Sequence, residues 1–246
     1  KEFREPFLGG GSVALEITKR YPHIDIWVND LYEPLYNFWC ELQHNGQELQ
    51  DALLGIKNIY CNPDAARCLF ISSKEQINDS DLSNFDRAVA FYIVNKCSFS
   101  GLTESSSFSA QASESNFSTN GIERLTEYSE IIERWKITNL SYESMLCDDK
   151  NTFIYLDPPY DIKDNLYGKK GEMHKRFDHD KFAADCDQHT CPMLISYNSD
   201  QIIRDRFYEW TVGEFAHTYT MRSVGCYNID QATRKELVLT NYEMRS

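Results

Sequence analysis

The chain has no long hydrophobic run. A membrane-spanning helix needs about 20 consecutive apolar residues, and the longest apolar stretch here, Ala88–Val94, falls far short of that. Lys1 opens directly into a segment patterned like folded structure, so no signal peptide is expected and a soluble, cytoplasmic protein is. Close cysteine pairs are also missing. The eight cysteines are scattered, which excludes a disulfide framework and suits reduced, partly buried thiols. Cys186 and Cys191 stand nearest to one another, but no second pair completes a metal-binding set, so packing rather than a metal is expected there. Positive charge is scarce as well, since 25 Lys and Arg against 38 Asp and Glu leave a net charge of −13. That balance argues against a nucleic-acid partner unless the basic residues cluster, because neutralising phosphates supplies much of such affinity. They do cluster. Lys163–Arg176 holds five basic and two acidic side chains, and Arg222–Lys235 holds three basic and one acidic, while acidic residues gather in Lys74–Asp86 and Glu123–Glu133.

With 246 residues, the chain has room for one α/β domain carrying a smaller insertion. After an extended start, Phe7–Gly11 reads as a loop before a helix that begins near Ser12, a plausible N-cap. Ile24–Val28 alternates as a strand and ends at Asn29-Asp30. The pattern then changes. Leu35–Leu42, Phe85–Val94 and Ile122–Trp135 read as helices, and between them Thr103–Asn120, with seven serines in eighteen residues, predicts a mobile loop. Thr152–Leu156, Met193–Tyr197 and Glu236–Asn241 are compact apolar runs, expected as strands covered on both faces of a mainly parallel sheet. The expected organisation is an α/β catalytic part from 1–45 and 137–246, with a mostly helical insertion at 46–136 that serves specificity.

Three features carry chemistry. The first is the run Gly9-Gly10-Gly11 before a helix, which lets backbone approach a ligand closely, although an ordinary tight turn also looks like this. It lacks the Gly-x-Gly-x-x-Gly spacing of a nicotinamide site. The second is Asp30 at the next strand end, 19 residues past Gly11, where a carboxylate can accept both ribose hydroxyls of an adenosine-containing ligand or simply cap a turn. The third is Asp157-Pro158-Pro159-Tyr160, directly after a strand. Adjacent prolines fix an extended, donor-free backbone, so the Asp157 carboxylate and the Pro158 carbonyl make two acceptors suited to an NH₂ group. Tyr160 offers a face on which a flat base could stack.

In this order, Glu5-Pro6-Phe7-x-Gly-Gly-Gly-Ser-Val, Asn29-Asp30 and Asp-Pro-Pro-Tyr resemble the Dam-type DNA adenine-N6 methyltransferases. The likeness runs through nearly the whole chain. Asn95-Lys96-x-x-Phe99-x-Gly101-Leu102 is similar to the family's DNA-contacting stretch, and Ser141–Met145 to the segment lining the cofactor's adenine. Leu194–Asn198 and Lys235–Tyr242 look like its later core strands. The resemblance implies a Rossmann-like methyltransferase fold with a helical target-recognition insertion, S-adenosylmethionine as methyl donor, and double-stranded DNA as the partner of a monomer. It implies a cofactor site of Pro6, Phe7, Gly9, Gly10, Gly11, Ser12, Asp30, Tyr142 and Asp157, and catalysis by Asp157, Pro158, Pro159 and Tyr160 without a metal. DNA would meet Asn95, Lys96 and Phe99, together with Lys169, Lys170, Lys175, Arg176, Arg222 and Arg234 from the two basic clusters. Relatives acting on RNA or on protein amides often carry Asn where Asp157 stands and lack the insertion, so both features point to DNA. A non-catalytic binding module on the same scaffold is a third reading. The chain departs from the family twice. The family's Trp-x-Gly-Gly-Lys segment upstream of the glycine loop has no counterpart after Lys1, as expected of a partial reading frame, and Ser141 replaces a frequent Asp.

Overall fold

The computed structural model of the protein describes residues 1–99, 106–160, 177–217 and 234–243. Among them, seven strands form one sheet: β1 (Glu2–Glu5), β2 (Asp25–Asn29), β3 (Lys136–Thr138), β4 (Thr152–Leu156), β5 (Met193–Asn198), β6 (Thr211–His217) and β7 (Arg234–Thr240). Their order is β3-β2-β1-β4-β5-β7-β6, and every pairing is parallel except the two that β7 makes with β5 and β6. This is the expected Rossmann-like, mainly parallel arrangement. Parallel neighbours need crossovers, and helices supply them here. The strand order reverses at β1, which lies between β2 and β4, so the carboxyl ends of these three strands open a crevice.

Helix α1 (Ser12–Arg20) crosses from β1 to β2. Between β2 and β3 come α2 (Glu33–His44), α3 (Gly46–Ile59), α4 (Pro63–Gln76), α5 (Asn84–Cys97), α6 (Ala110–Ser115), α7 (Thr119–Glu123) and α8 (Leu125–Ile131). A 3-10 turn at Tyr142–Met145 precedes β4, and α9 (His179–Asp187) and α10 (Gln201–Arg206) flank β5. Two cores result. The larger joins Phe3, Ile26 and Val28 of the sheet to Trp39, Leu42, Leu49, Phe91 and Trp135 of the helical layer. The smaller joins Ile154, Leu156, Ile195, Tyr197, Leu237 and Leu239 to Phe182, Cys186, Ile203 and Phe207. Cys186 and Cys191 are wholly buried in it. Among the described residues no helix is long and apolar enough to cross a membrane.

Several expectations need correction. Ser12 does not cap α1; Gly11 holds that position, in the left-handed region, and makes no side-chain bond. The serine-rich stretch is folded where it is described. Ser109 and Ser118 accept the amides of Ala112 and Gly121 at 3.2 Å as helix caps, and Phe117 is fully buried. Its serines thus start helices, and Phe117, with Phe108 packed on Phe70 at 5.8 Å, supplies the anchor that composition alone did not show. The helix expected at Ile122–Trp135 is broken into α7, α8 and a turn ending at Trp135. Strands β4 and β5 are sealed on one face, while Phe153, Tyr155, Leu194 and Ser196 on the other are half-buried. Ile24–Val28 and Glu236–Asn241 arrive shifted as β2 and β7, whereas β3 and β6 were not anticipated.

Candidate active site at the strand ends

The loop after β1 is shaped by glycine and held from three sides. Gly9 and Gly11 have φ of 49° and 67°, a region that L side chains rarely adopt. A Cβ on Gly11 would lie 2.9 Å from Cζ2 of Trp39, so the loop rests directly on an indole from α2. The same indole donates its Nε1–H to the Gly9 carbonyl at 3.2 Å. Above Gly9 and Gly10 the space is open, for a Cβ there would meet nothing within 4 Å.

Asn29 and Asp30, at the end of β2, bind this loop to its surroundings. Asn29 is buried and fully used: its Nδ2 donates to the carbonyls of Pro6 (3.1 Å) and Leu140 (2.9 Å), and its Oδ1 accepts Leu140 N–H at 2.7 Å. The Asp30 oxygens accept Gly9 N–H and Tyr32 N–H, each at 2.9 Å. Burial raises the Asp30 carboxyl above its ordinary value, and those two amides oppose the rise. Asp30 therefore holds the glycine loop, and each of its oxygens can still accept a second hydrogen bond.

Asp157 follows β4 and is treated differently. The residue is solvent-exposed and accepts no hydrogen bond among the described residues. Desolvation, then the charge of Glu236 on β7, pushes its carboxyl up to about 6. Water still reaches the group, so the shift is that of a carboxylate on a cleft wall rather than of one sealed inside. Pro158 is buried, Pro159 half-buried, and the half-buried Tyr160 ring lies 6.3 Å from that of Tyr197 at 30°. Between Asp30 and Asp157 stands Glu5, the last residue of β1, 3% exposed, with Oε2 accepting Ala14 N–H at 2.8 Å in the first turn of α1. Burial pushes this carboxyl up to about 8; the Ala14 amide pulls it back, and Asp157 and Asp30 add to the rise. The repulsion falls on Glu5 because Asp157 ionises first.

An aromatic wall adjoins the loop. Phe7 stacks on Tyr142 with centroids 5.7 Å apart, and Phe177 and Phe182 close around both at 5.2–6.0 Å. The Tyr142 hydroxyl donates to Asp185 at 2.7 Å, and Lys181 bridges Asp185 to Glu143. His179 Nδ1 bonds the Tyr197 hydroxyl, which links this wall to the ring under Tyr160.

The structure thus gathers Pro6, Phe7, Gly9, Gly10, Gly11, Asp30, Tyr142, Asp157 and Tyr160 around the carboxyl ends of β1, β2 and β4, with Ser12 exposed at the start of α1. Asn95 and Lys96 lie elsewhere, in the last turn of α5. Lys96 sits over the Tyr92 ring at 5.5 Å, and burial lowers its pKa. Phe99 follows, 59% exposed. Lys169, Lys170, Lys175, Arg176 and Arg222 fall outside the described residues, and Arg234 opens β7 opposite His217. Sequence reasoning missed Glu5, Trp39, Phe177, Phe182 and His179 as parts of the site. For Glu5 the signal was available, since it alternates with Phe3 on a strand whose odd positions face inward. The others lie too far along the chain to signal a shared place.

Comparison with known families bears on this constellation. The family model of the D12 class N6 adenine-specific DNA methyltransferase matches residues 1–222, which takes in the glycine loop, Asp30, Tyr142 and Asp157–Tyr160. The chain belongs to that family. It is also similar to the Type II methyltransferase M.MjaIII of Methanocaldococcus jannaschii, at 22% identity over 171 residues, 65% of this chain and 58% of that protein. The chain thus spans rather more than half the length of that relative.

Membership in the D12 class implies S-adenosylmethionine as methyl donor, and the residues present fit such a group. Open backbone at Gly9 and Gly10 admits close approach, the rings of Phe7 and Tyr142 offer faces to a flat base, and three carboxylates suit a cation. Among the described residues no three His, Cys, Asp or Glu are grouped to hold a metal.

Proposed function

We propose that this chain transfers a methyl group from S-adenosylmethionine to N6 of adenine in duplex DNA. One observation carries the reading: a carboxylate, Asp157, exposed and without a hydrogen bond among the described residues, follows the strand beside the glycine loop, with the Tyr160 ring close in sequence. Bound S-adenosylmethionine supplies an electrophilic methyl on its sulfonium sulfur. Everything else is done by the chain. Asp30 and the glycine loop bind the cofactor at the ribose, and Pro6, Phe7, Ser12 and Tyr142 line its place. Asp157, ionised above pH about 6, accepts one N6 hydrogen, and the Pro158 carbonyl, fixed by Pro159, accepts the other. Together they localise the nitrogen lone pair and stabilise the positive charge that grows on it. Tyr160 stacks on the adenine, which must leave the duplex to reach these groups.

The α/β part at 1–45 and 137–246 is the catalytic unit in this proposal, and 46–136 recognises the target. Asn95, Lys96 and Phe99 meet the DNA, with the phosphate field completed by Lys169, Lys170, Lys175, Arg176, Arg222 and Arg234. The protein acts as a monomer in the cytoplasm of a bacterial or phage-infected cell. The test is methyl transfer from labelled S-adenosylmethionine to duplex DNA, with the modified base identified after digestion. Label in N6-methyladenine is expected; label in another base, in RNA alone or in protein would overturn the reading.

A further inference from the structure

Glu5 is a carboxylate where a carboxylate is costly. It closes the strand between β2 and β4, and only 3% of its surface meets solvent. From α1 it meets the Ala14 amide, from the β2 side Asp30, and from the β4 side Asp157 and the Tyr155 phenol. Two of these are negative and none is a cationic side chain. Its Oε1 accepts no hydrogen bond among the described residues. The pKa of about 8 is the combined result of that burial and repulsion, offset in part by the Ala14 amide.

A ligand that brings a positive charge to these strand ends reverses the balance, and a neutral ligand does not. S-adenosylmethionine carries a sulfonium. Its product, S-adenosylhomocysteine, is the thioether left when the methyl has gone. We propose that Glu5 is the residue by which this site distinguishes its cationic cofactor from its neutral product. Glu5 is protonated when no sulfonium is present and ionised when one is. After transfer it recovers a proton, and the product loses an attraction that the cofactor enjoyed. Glu5 acts as a positioning residue: its oxygen anchors the start of α1, and its charge answers the ligand. This inference rests on the cofactor assignment of the preceding section.

Calorimetric titration of the whole chain at pH 7 tests it, with S-adenosylmethionine and S-adenosylhomocysteine in two buffers of different ionisation enthalpy. The wild type should release up to about one proton more on binding the cofactor than Glu5→Gln does. Glutamine still offers an oxygen to Ala14 N–H but carries no charge. Its affinity for S-adenosylmethionine should fall about tenfold, while that for S-adenosylhomocysteine stays within about twofold. Each ligand's own amino group titrates alike in both proteins, so it cancels from the comparison. A Glu5→Gln protein with the wild-type preference and proton count overturns the inference and leaves the cofactor assignment standing. A wild type that binds neither ligand overturns both. Should the variant fail to fold, the wild type alone decides. A sulfonium derivative of 5′-methylthioadenosine should release a proton that 5′-methylthioadenosine does not, and equal release overturns the proposal.

Discussion

At the end of β2 the Asp30 carboxylate is occupied, each oxygen holding a backbone amide at 2.9 Å. At the end of β4 the Asp157 carboxylate is exposed and holds none among the described residues. Both pKa values are raised by burial, yet only Asp30 has amides pulling it back. The surroundings differ in the same sense. The Asp30 end is fastened to the larger core through Trp39, whereas the Asp157 end leaves the smaller core through two prolines. A carboxylate whose hydrogen-bonding capacity goes into the backbone holds a loop in shape. One whose capacity is kept free, beside a half-buried ring, is available to a substrate. In the proposed function the two ends of the crevice therefore divide the work between holding and reacting.

Substitutions at these positions can break that division. The largest effect is expected from Asp157→Asn, which keeps the shape and removes the charge. Single-turnover transfer at saturating cofactor should slow by ~10²–10³. In the wild type, transfer should also fall as pH drops through about 6, where the carboxylate takes a proton and ceases to be a pure acceptor. A variant that methylates at the wild-type rate would erase the distinction. Glu5→Gln comes next, read as stability. The folded carboxyl titrates at about 8 against an ordinary 4.5, so between those values the folded chain holds a proton that the unfolded chain has released. Wild-type stability should therefore fall as pH rises across that range, and the variant should gain on it by something on the order of 3 kcal/mol. Denaturant unfolding at pH 5 and pH 8 measures this, and equal pH profiles would show that Glu5 is not the buried acid described. Asp30→Ala should weaken cofactor binding by about 1.5–3 kcal/mol, the range for bonds to a charged acceptor. Its single-turnover rate at saturating cofactor should change far less, and a larger loss of rate than of binding would merge the two ends. The smallest effect belongs to Tyr142→Phe, which deletes the bond to Asp185 and keeps the stacked ring. Stability should drop by about 0.5–1.5 kcal/mol in the same unfolding assay, with binding nearly intact.

How far these arrangements could be read in the sequence depended on range. Thr152–Leu156 is a strand because five apolar or β-branched residues lead into prolines that cannot continue a ladder, and all of that is local. The glycine run and Asp30 were legible for the same reason. The serine-rich stretch was misread because composition counts serine as a residue for solvent, whereas Ser109 and Ser118 act by position, as helix caps. Strand β6 gave no pattern because it is the sheet edge, with Phe215 57% exposed and a glycine at 213. Trp39 under Gly11, and Phe177 beside Phe7, are meetings of distant segments, and nothing in either neighbourhood announces the other.

The seat of the glycine loop also limits how such an enzyme can be rebuilt. Trp39 packs at 5.8 Å from Trp135, whose indole reaches Thr18 on α1, and Gln43 donates to the carbonyls of Ile132 and Trp135 at 2.7 and 2.8 Å. A chimera that exchanged 46–136 as a cassette would remove Trp135 from beneath the indole that supports Gly11. Under the proposed division of roles, the graft would change the target and loosen the glycine loop at once. Splice points placed after Gln43 and before Ile132 would keep the recipient's own tryptophan pair, and so leave the seat of the glycine loop undisturbed.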